Sequence, residues 1–307
     1  MQNKKLYIAS AAATSFLWGI DAIFVQAVVG EINPQFTSFL KSSIATLFFI
    51  IIYICRTKSA KVSAGGIMTP GRIEKKDLPL CAVAGILGMG LYFLFENSGI
   101  KYTSGALSAL ILAALPIVGI IGDRIFFKSR ITGVKIVGTV LSLTGVALVV
   151  TGGSPEALEG QLKGYFLMFM AMLCMAGAAF ASKTLYRKYS VLTVLTYSCS
   201  FGAVSLLPAA LLYFPGSDAF SLKTIALVVC MSLFCTVGAE FFNAFSLSGL
   251  PVTLVTLFGN LIPVVSVAAA YIAFHEIPGP RQLIGGAVIV AAISLVSLTS
   301  KASGPQA

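Results

Sequence analysis

The sequence predicts an all-α integral membrane protein: ten transmembrane helices, arranged as two inverted five-helix repeats, with both termini cytoplasmic. Three observations lead there. First, 57% of the 307 residues are hydrophobic, only 10% are charged and mean hydropathy is +0.94, whereas a soluble domain carries about 25% charged residues. Second, the apolar residues fall into ten runs, each near the ~20 residues that cross a bilayer as a helix. Third, Lys and Arg are distributed unevenly between alternate connections. This composition excludes a disordered chain, a nucleic-acid-binding arm and an ordinary soluble enzyme. Ten spans leave about 100 residues for connections, too few for a sizeable soluble domain.

In order, the runs cover 6–28, 36–55, 78–98, 104–127, 134–151, 164–186, 191–214, 224–245, 252–274 and 282–298. The first is too long for a signal peptide: Lys4 and Lys5 precede it and Ala11, Ala12 and Ala13 are small, but apolarity continues past Trp18 to Val28. The stretch from 104 to 151 divides at Asp123, Arg124, Lys128 and Arg130, because each such charge is costly at mid-bilayer depth. The stretch from 252 to 298 divides at His275, Glu276, Pro278, Gly279 and Pro280, where the prolines and glycine end a helix. The 56–77 connection, with Gly65, Gly66, Pro70 and Gly71, reads as a flexible linker.

Charge sets the orientation. With the N-terminus inside, the inner connections hold 16 of the 21 basic residues, Lys61 and Lys301 among them. The outer ones hold 4 (Lys101, Lys163, Lys223 and Arg281), and Lys41 falls within a span. Basic flanks resist translocation, so the basic side is cytoplasmic and the protein belongs in the cytoplasmic membrane. The net charge of +10 then needs no anionic partner beyond the headgroups of the bilayer, and no nucleic-acid partner is expected. The six cysteines, without CxxC spacing, read as buried inert thiols, and one histidine excludes a histidine-rich metal site.

The chain divides near Gly152 and Gly153 into segments 1–151 and 152–307. SGALSALILAALP (104–116) resembles PVTLVTLFGNLIP (251–263) at an offset of 147, and each ends on a mid-span proline, Pro116 or Pro263, read as hinges. Five spans per half place the second half upside down relative to the first. Inverted repeats of this kind build many secondary transporters, with the substrate site near the midplane between halves.

Motifs spread over the chain resemble the drug/metabolite transporter superfamily, EamA type. Phe16-Leu17-Trp18-Gly19 resembles the family's Trp-Gly opening, and Tyr102-Thr103-Ser104 the start of its fourth helix. Pro263 followed by Glu276 resembles the spacing at the end of its ninth. Gly138, Gly145, Gly285 and Gly286 resemble glycines of its fifth and tenth. Ser129 stands where the family often has Glu, and Lys41 where many members have Arg. The resemblance implies a ten-helix carrier with a central cavity, often an exporter of amino acids or other metabolites.

Polar groups inside the membrane domain are the functional candidates. Asp21 lies 15 residues into the first span and Lys41 five into the second, which runs the other way, so both belong to the outer half and pairing is expected. Together they suit a zwitterionic substrate or proton coupling. Glu96 ends the third span near the outer face, where water is the simpler partner. Glu240, beside Phe241, Phe242 and Asn243, is the better proton-relay candidate, because apolar surroundings let a carboxyl group exchange its proton nearer neutrality. Asn260 precedes Pro263 and is suited to a carbonyl that the proline frees one turn back, whereas the neighbours of Pro116 are apolar. Trp18 lies mid-span, so it reads as cavity wall rather than interfacial anchor, and Tyr92 adds aromatic surface. The expected substrate-binding residues are Lys41, Asp21, Trp18, Tyr92, Asn243 and Asn260, and the proton-coupling residues Glu240, Asp21 and Glu96. The cavity is expected between the first, second, third, fourth, eighth and ninth spans.

Enzyme chemistry has little support: the sequence contains no HExxH, no GxSxG and no histidine pair. Gly119, Gly122 and Asp123 lack the spacing of an aspartyl-protease motif. No phosphate-binding loop is present, so the driving force is a gradient, and no cofactor is expected.

Overall fold

The computed structural model describes residues 4–28, 32–58, 67–102, 105–152, 162–214, 221–275 and 277–299. Gly65, Gly66, Lys61, Thr103, Ser104, Gly153, Glu276 and Lys301, which figure in the sequence reading, lie outside them. Ten helical spans run in chain order. They are α1 (Lys4–Val28), α2 (Pro34–Lys58), α3 (Leu78–Gly85, Ile86–Leu91, Tyr92–Tyr102), α4 (Gly105–Leu112, Leu115–Phe127), α5 (Gly133–Thr151), α6 (Leu162–Tyr186), α7 (Val191–Ser205, Leu207–Leu212), α8 (Leu222–Met231, Ser232–Gly238, Ala239–Gly249), α9 (Val252–Gly259, Ile262–Phe274) and α10 (Pro280–Thr299). Nine of them, α2 to α10, are long and apolar enough to cross a bilayer, and α1 has 25 residues, about 37 Å. In lipid every backbone group must be satisfied within the element, which is why such a composition folds as helices.

Five of the ten spans are interrupted. Pro116 and Pro263 stand one residue inside the second pieces of α4 and α9, and Pro208 does the same in α7, because proline opens a helix well but cannot sit within one. α3 and α8 each contain a π-helical turn, Ile86–Leu91 and Ser232–Gly238. The interruptions obey the repeat. Gly105, Leu115 and Gly133 open their helices 147 residues before Val252, Ile262 and Pro280 do. Both π turns end at residues 147 apart, and Lys128 and His275, at the same offset, share left-handed backbone angles with φ of 52° and 57°.

Small residues set the packing. A Cβ on Gly145 would come 2.8 Å from Gly285 O, and one on Gly85 2.0 Å from Ser198 O. Thus α5 lies against α10, and α3 against α7, at backbone contact. Val146, Leu254, Leu257 and Ile289 fill one core between α5, α9 and α10, and Phe49, Met89, Leu192 and Val237 fill another between α2, α3, α7 and α8. Leu211, Leu212, Ile272 and Leu298 are exposed, as a lipid-facing belt requires. Cys55 corrects the expectation of buried thiols: it is exposed, although all six cysteines are free.

At the end bearing Lys4, Lys58 and Lys188, residues 67–77 strap across the start of α7. Gly71 N donates to Thr193 Oγ1 at 2.9 Å, Glu74 N to Tyr189 Oη at 3.2 Å, and Leu192 N to Ile67 O at 3.2 Å. Asp77 accepts from Tyr189 Oη at 2.7 Å and from Lys188 Nζ at 3.1 Å through each oxygen. The Tyr189 and Lys188 donors hold its carboxyl below the usual value of 3.8. The part of the 56–77 linker described is therefore an ordered strap.

Candidate functional site

α1 and α2 bring Asp21 and Lys41 together. Lys41 Nζ donates to Asp21 Oδ2, with the side chains 9% and 16% exposed. A charge enclosed this far is retained only when paired. Asp21 Oδ1 is buried and accepts no hydrogen bond from the described residues. On the same α2 stretch, Ser38 Oγ accepts from Asn97 Nδ2 at 3.1 Å, and Gln35 Nε2 donates to Ser98 Oγ at 3.5 Å. The polar face of α2 thus meets α1 on one side and α3 on the other.

In α3, Tyr92 Oη donates to Glu96 Oε1 at 2.6 Å, one turn away. Glu96 is half-buried and bonded within its helix, in contrast to the solvated end expected. The charge of Lys41 acts on both Glu96 and Glu240, and both carboxyls act on Tyr92. One cluster therefore draws on α1, α2, α3 and α8. The π turns explain its assembly. A π turn holds an extra residue, which swings the following helix face by about 100°. Tyr92 follows the first π turn directly and Glu240 follows the second by one residue. Glu96 and Asn243, 147 apart, occupy corresponding places after the two turns, and Asn243 is half-buried. Trp18, half-buried, stands one turn before Asp21 on α1.

Other candidates stand elsewhere. Asn260 is 4% exposed, and its Nδ2 donates to Ala113 O at 3.3 Å and to Ser142 Oγ at 2.9 Å. The carbonyl it satisfies is the one freed by the break before Pro116, in the other half, rather than one of its own helix. Its amide therefore joins the broken α4 and α9 and is used up doing so. An apolar groove of about 750 Å³ opens between α5, α9 and α10, lined among others by Val149, Val264, Tyr271, Gln282 and Val290. None of the candidate residues lines it. Asp123, read from sequence as a connection charge, is buried within α4. Its neighbours Arg124, Lys128 and Arg130 masked the signal.

The EamA-like transporter family matches residues 5–151 and 162–298, nearly the whole chain. The chain belongs to that family. An uncharacterized transporter of Archaeoglobus fulgidus is 26% identical over 95% of this chain and 98% of its own length. YyaM, an uncharacterized transporter of Bacillus subtilis, is 25% identical over 97% and 95%. A probable terminal-alkyne amino-acid exporter of Streptantibioticus cattleyicolor is 25% identical over 76% of this chain and 78% of its own. A solved crystal structure superimposes with a TM-score of 0.78 at 17% identity, covering 97% of this chain and 99% of the other, which shows a shared fold. This EamA-like protein is thus a multi-pass membrane transporter, and the matched segments each contain five of its spans.

Proposed function

We propose that this EamA-like protein is a secondary transporter that exports a small ammonium-bearing metabolite, an amino acid or a close relative, across the cytoplasmic membrane. It would work by alternating access of two inverted halves, 1–151 and 152–307, with both termini cytoplasmic as the basic connections require. The mixed-charge cluster carries the reading. Lys41 is already compensated by Asp21, whereas Glu96 and Glu240 enter no salt bridge among the described residues. A substrate ammonium meets Glu96 or Glu240, and a substrate carboxylate takes a remaining N–H of Lys41. Trp18, Tyr92 and Asn243 form the surrounding wall. Glu240, half-buried and followed in the chain by Phe241 and Phe242, couples transport to a proton. The amino-acid exporter among the relatives favours the same substrate class. With no phosphate-binding loop in the sequence, the energy comes from a gradient and not from catalysis.

The test is flux in proteoliposomes with labelled amino acids and related amines, with and without a pH gradient. Saturable, gradient-following flux of one class is expected, and Glu240→Gln should remove the response to the gradient. Gradient-indifferent saturable flux would instead identify a facilitated exchanger, with the carboxylates serving the substrate alone. Unchanged gradient-driven flux in Glu240→Gln would remove that residue from coupling.

A further inference from the structure

α8 and α9 are joined by Leu250 and Pro251 alone, both in extended backbone. Two charged side chains grip that junction, one at each helix end. Lys183 of α6 donates to Leu250 O, and more distantly to Leu247 O at 3.5 Å, at the C-terminal end of α8. Asp123 of α4 accepts from Val252 N at 3.2 Å, Thr253 N at 2.9 Å and Thr253 Oγ1 at 2.7 Å, at the N-terminal end of α9. Each charge faces the helix end of opposite polarity. Asp123 is 2% exposed, and its charge also acts on Lys183.

The grip is seated on backbone. One turn before Asp123, a Cβ on Gly119 would come 2.9 Å from Thr253 Cα, so α4 and α9 touch directly. The ring of Phe127 lies under Lys183 Nζ at 5.5 Å and under the Arg187 guanidinium at 4.7 Å, which fixes α4 against α6. Asp123 belongs to the first five-helix segment and Thr253 to the second. Three hydrogen bonds to one enclosed carboxylate therefore tie the halves at the end that carries most of the basic residues.

The repeat makes this tie one-sided. The position 147 residues after Asp123 is Ala270, and those 147 before Val252 and Thr253 are Gly105 and Ala106. When the halves exchange roles in the opposite state, the counterpart position therefore supplies an alanine and not a carboxylate. We propose that Asp123 is a positioning residue of transport: it latches the α8–α9 junction to α4, holds the basic end shut, and biases the resting protein to that state. Each transport cycle must break and remake its three hydrogen bonds. Lys183 keeps the junction in the register that Asp123 needs.

The purpose of the latch rests on the transport reading, but its test needs no substrate. Two reporters are made in a chain whose six native cysteines are replaced: Thr256→Cys, in the α4–α9 seam, and Ser98→Cys, half-buried at the other end. Labelling by a hydrophilic maleimide is followed in lipid nanodiscs. With Asp123→Ala, labelling at Thr256→Cys should speed up by about tenfold and labelling at Ser98→Cys should slow, with Asp123→Asn in between. No change at either reporter, or faster labelling at both, overturns the latch and leaves Asp123 a structural cap. If Asp123→Ala does not survive extraction, Thr253→Val removes one of the three donors and is read in the same way. A reciprocal shift without flux of any amine would count against the proposed substrate class and leave the latch standing.

Discussion

At the residue scale the decisive question is which buried charges are compensated. Lys41→Ala removes a partner and leaves the Asp21 carboxylate enclosed, which costs about 3–5 kcal/mol. The single variant is therefore expected to melt early in detergent and to lose transport through misfolding as much as through chemistry. The double variant Lys41→Gln with Asp21→Asn keeps the shapes and removes both charges. It should recover most of the melting temperature, and flux measured on it then reports on the site itself. A double variant as unstable as the single one would show that the ion pair is not what holds α1 to α2. Depth counting in the sequence was enough to anticipate this pair, because two oppositely charged residues at matching depth have few other partners in lipid. It could not anticipate Tyr92 on Glu96, nor the grip of Asp123 on Thr253, which join residues by side-chain direction and by contact across 130 positions.

At the scale of elements the helices are positioned by glycine contact and aimed by their interruptions. Gly85 meets the Ser198 carbonyl, a backbone atom that cannot swing aside, whereas Gly133 has nothing within 4 Å of an added Cβ. Gly85→Ala is expected to destabilise by about 3 kcal/mol, because α3 and α7 must part to admit the methyl. Gly133→Ala should lie within about 1 kcal/mol of the parent, on the stabilising side. Thermal melts of the two purified variants check both, and equal effects would refute the contact account. Gly85, Gly88 and Gly90 stand in the sequence as the run GILGMG, but nothing there marks the π turn that holds the last two. An extra residue in a helical turn leaves no compositional mark, since Ile86–Leu91 is as apolar as the turns around it. The proline breaks were half legible. Pro116 and Pro263 mark where the ladder opens, and only the fold reveals that Asn260 serves the opening in the opposite half.

At the scale of the whole molecule, the two halves are clasped at the basic end by the strap as well as by Asp123. Because hydrogen bonds hold the Asp77 carboxyl below its ordinary 3.8, the strap gains stability above that pH and loses it as pH falls through the lowered value. Hydrogen exchange across 67–77 is therefore expected to be slow above pH 3.8 and to accelerate, relative to neighbouring helices, as the pH falls below it. Asp77→Asn should remove that pH step. A step that persists in the variant would place the titrating group elsewhere.

The sequence by itself determined the solvent, the number of crossings and the repeat. Those follow from composition, run length and a shift of 147 residues, which act along the chain and need no knowledge of neighbours. The tertiary structure decided which helices share a face, that Tyr92 meets Glu96, and which end of the bundle is tied shut. Those depend on the π turns that rotate α3 and α8 and on contacts between residues more than a hundred positions apart. The physical reason is that hydropathy is a sum over residues, whereas a site is a set of directions.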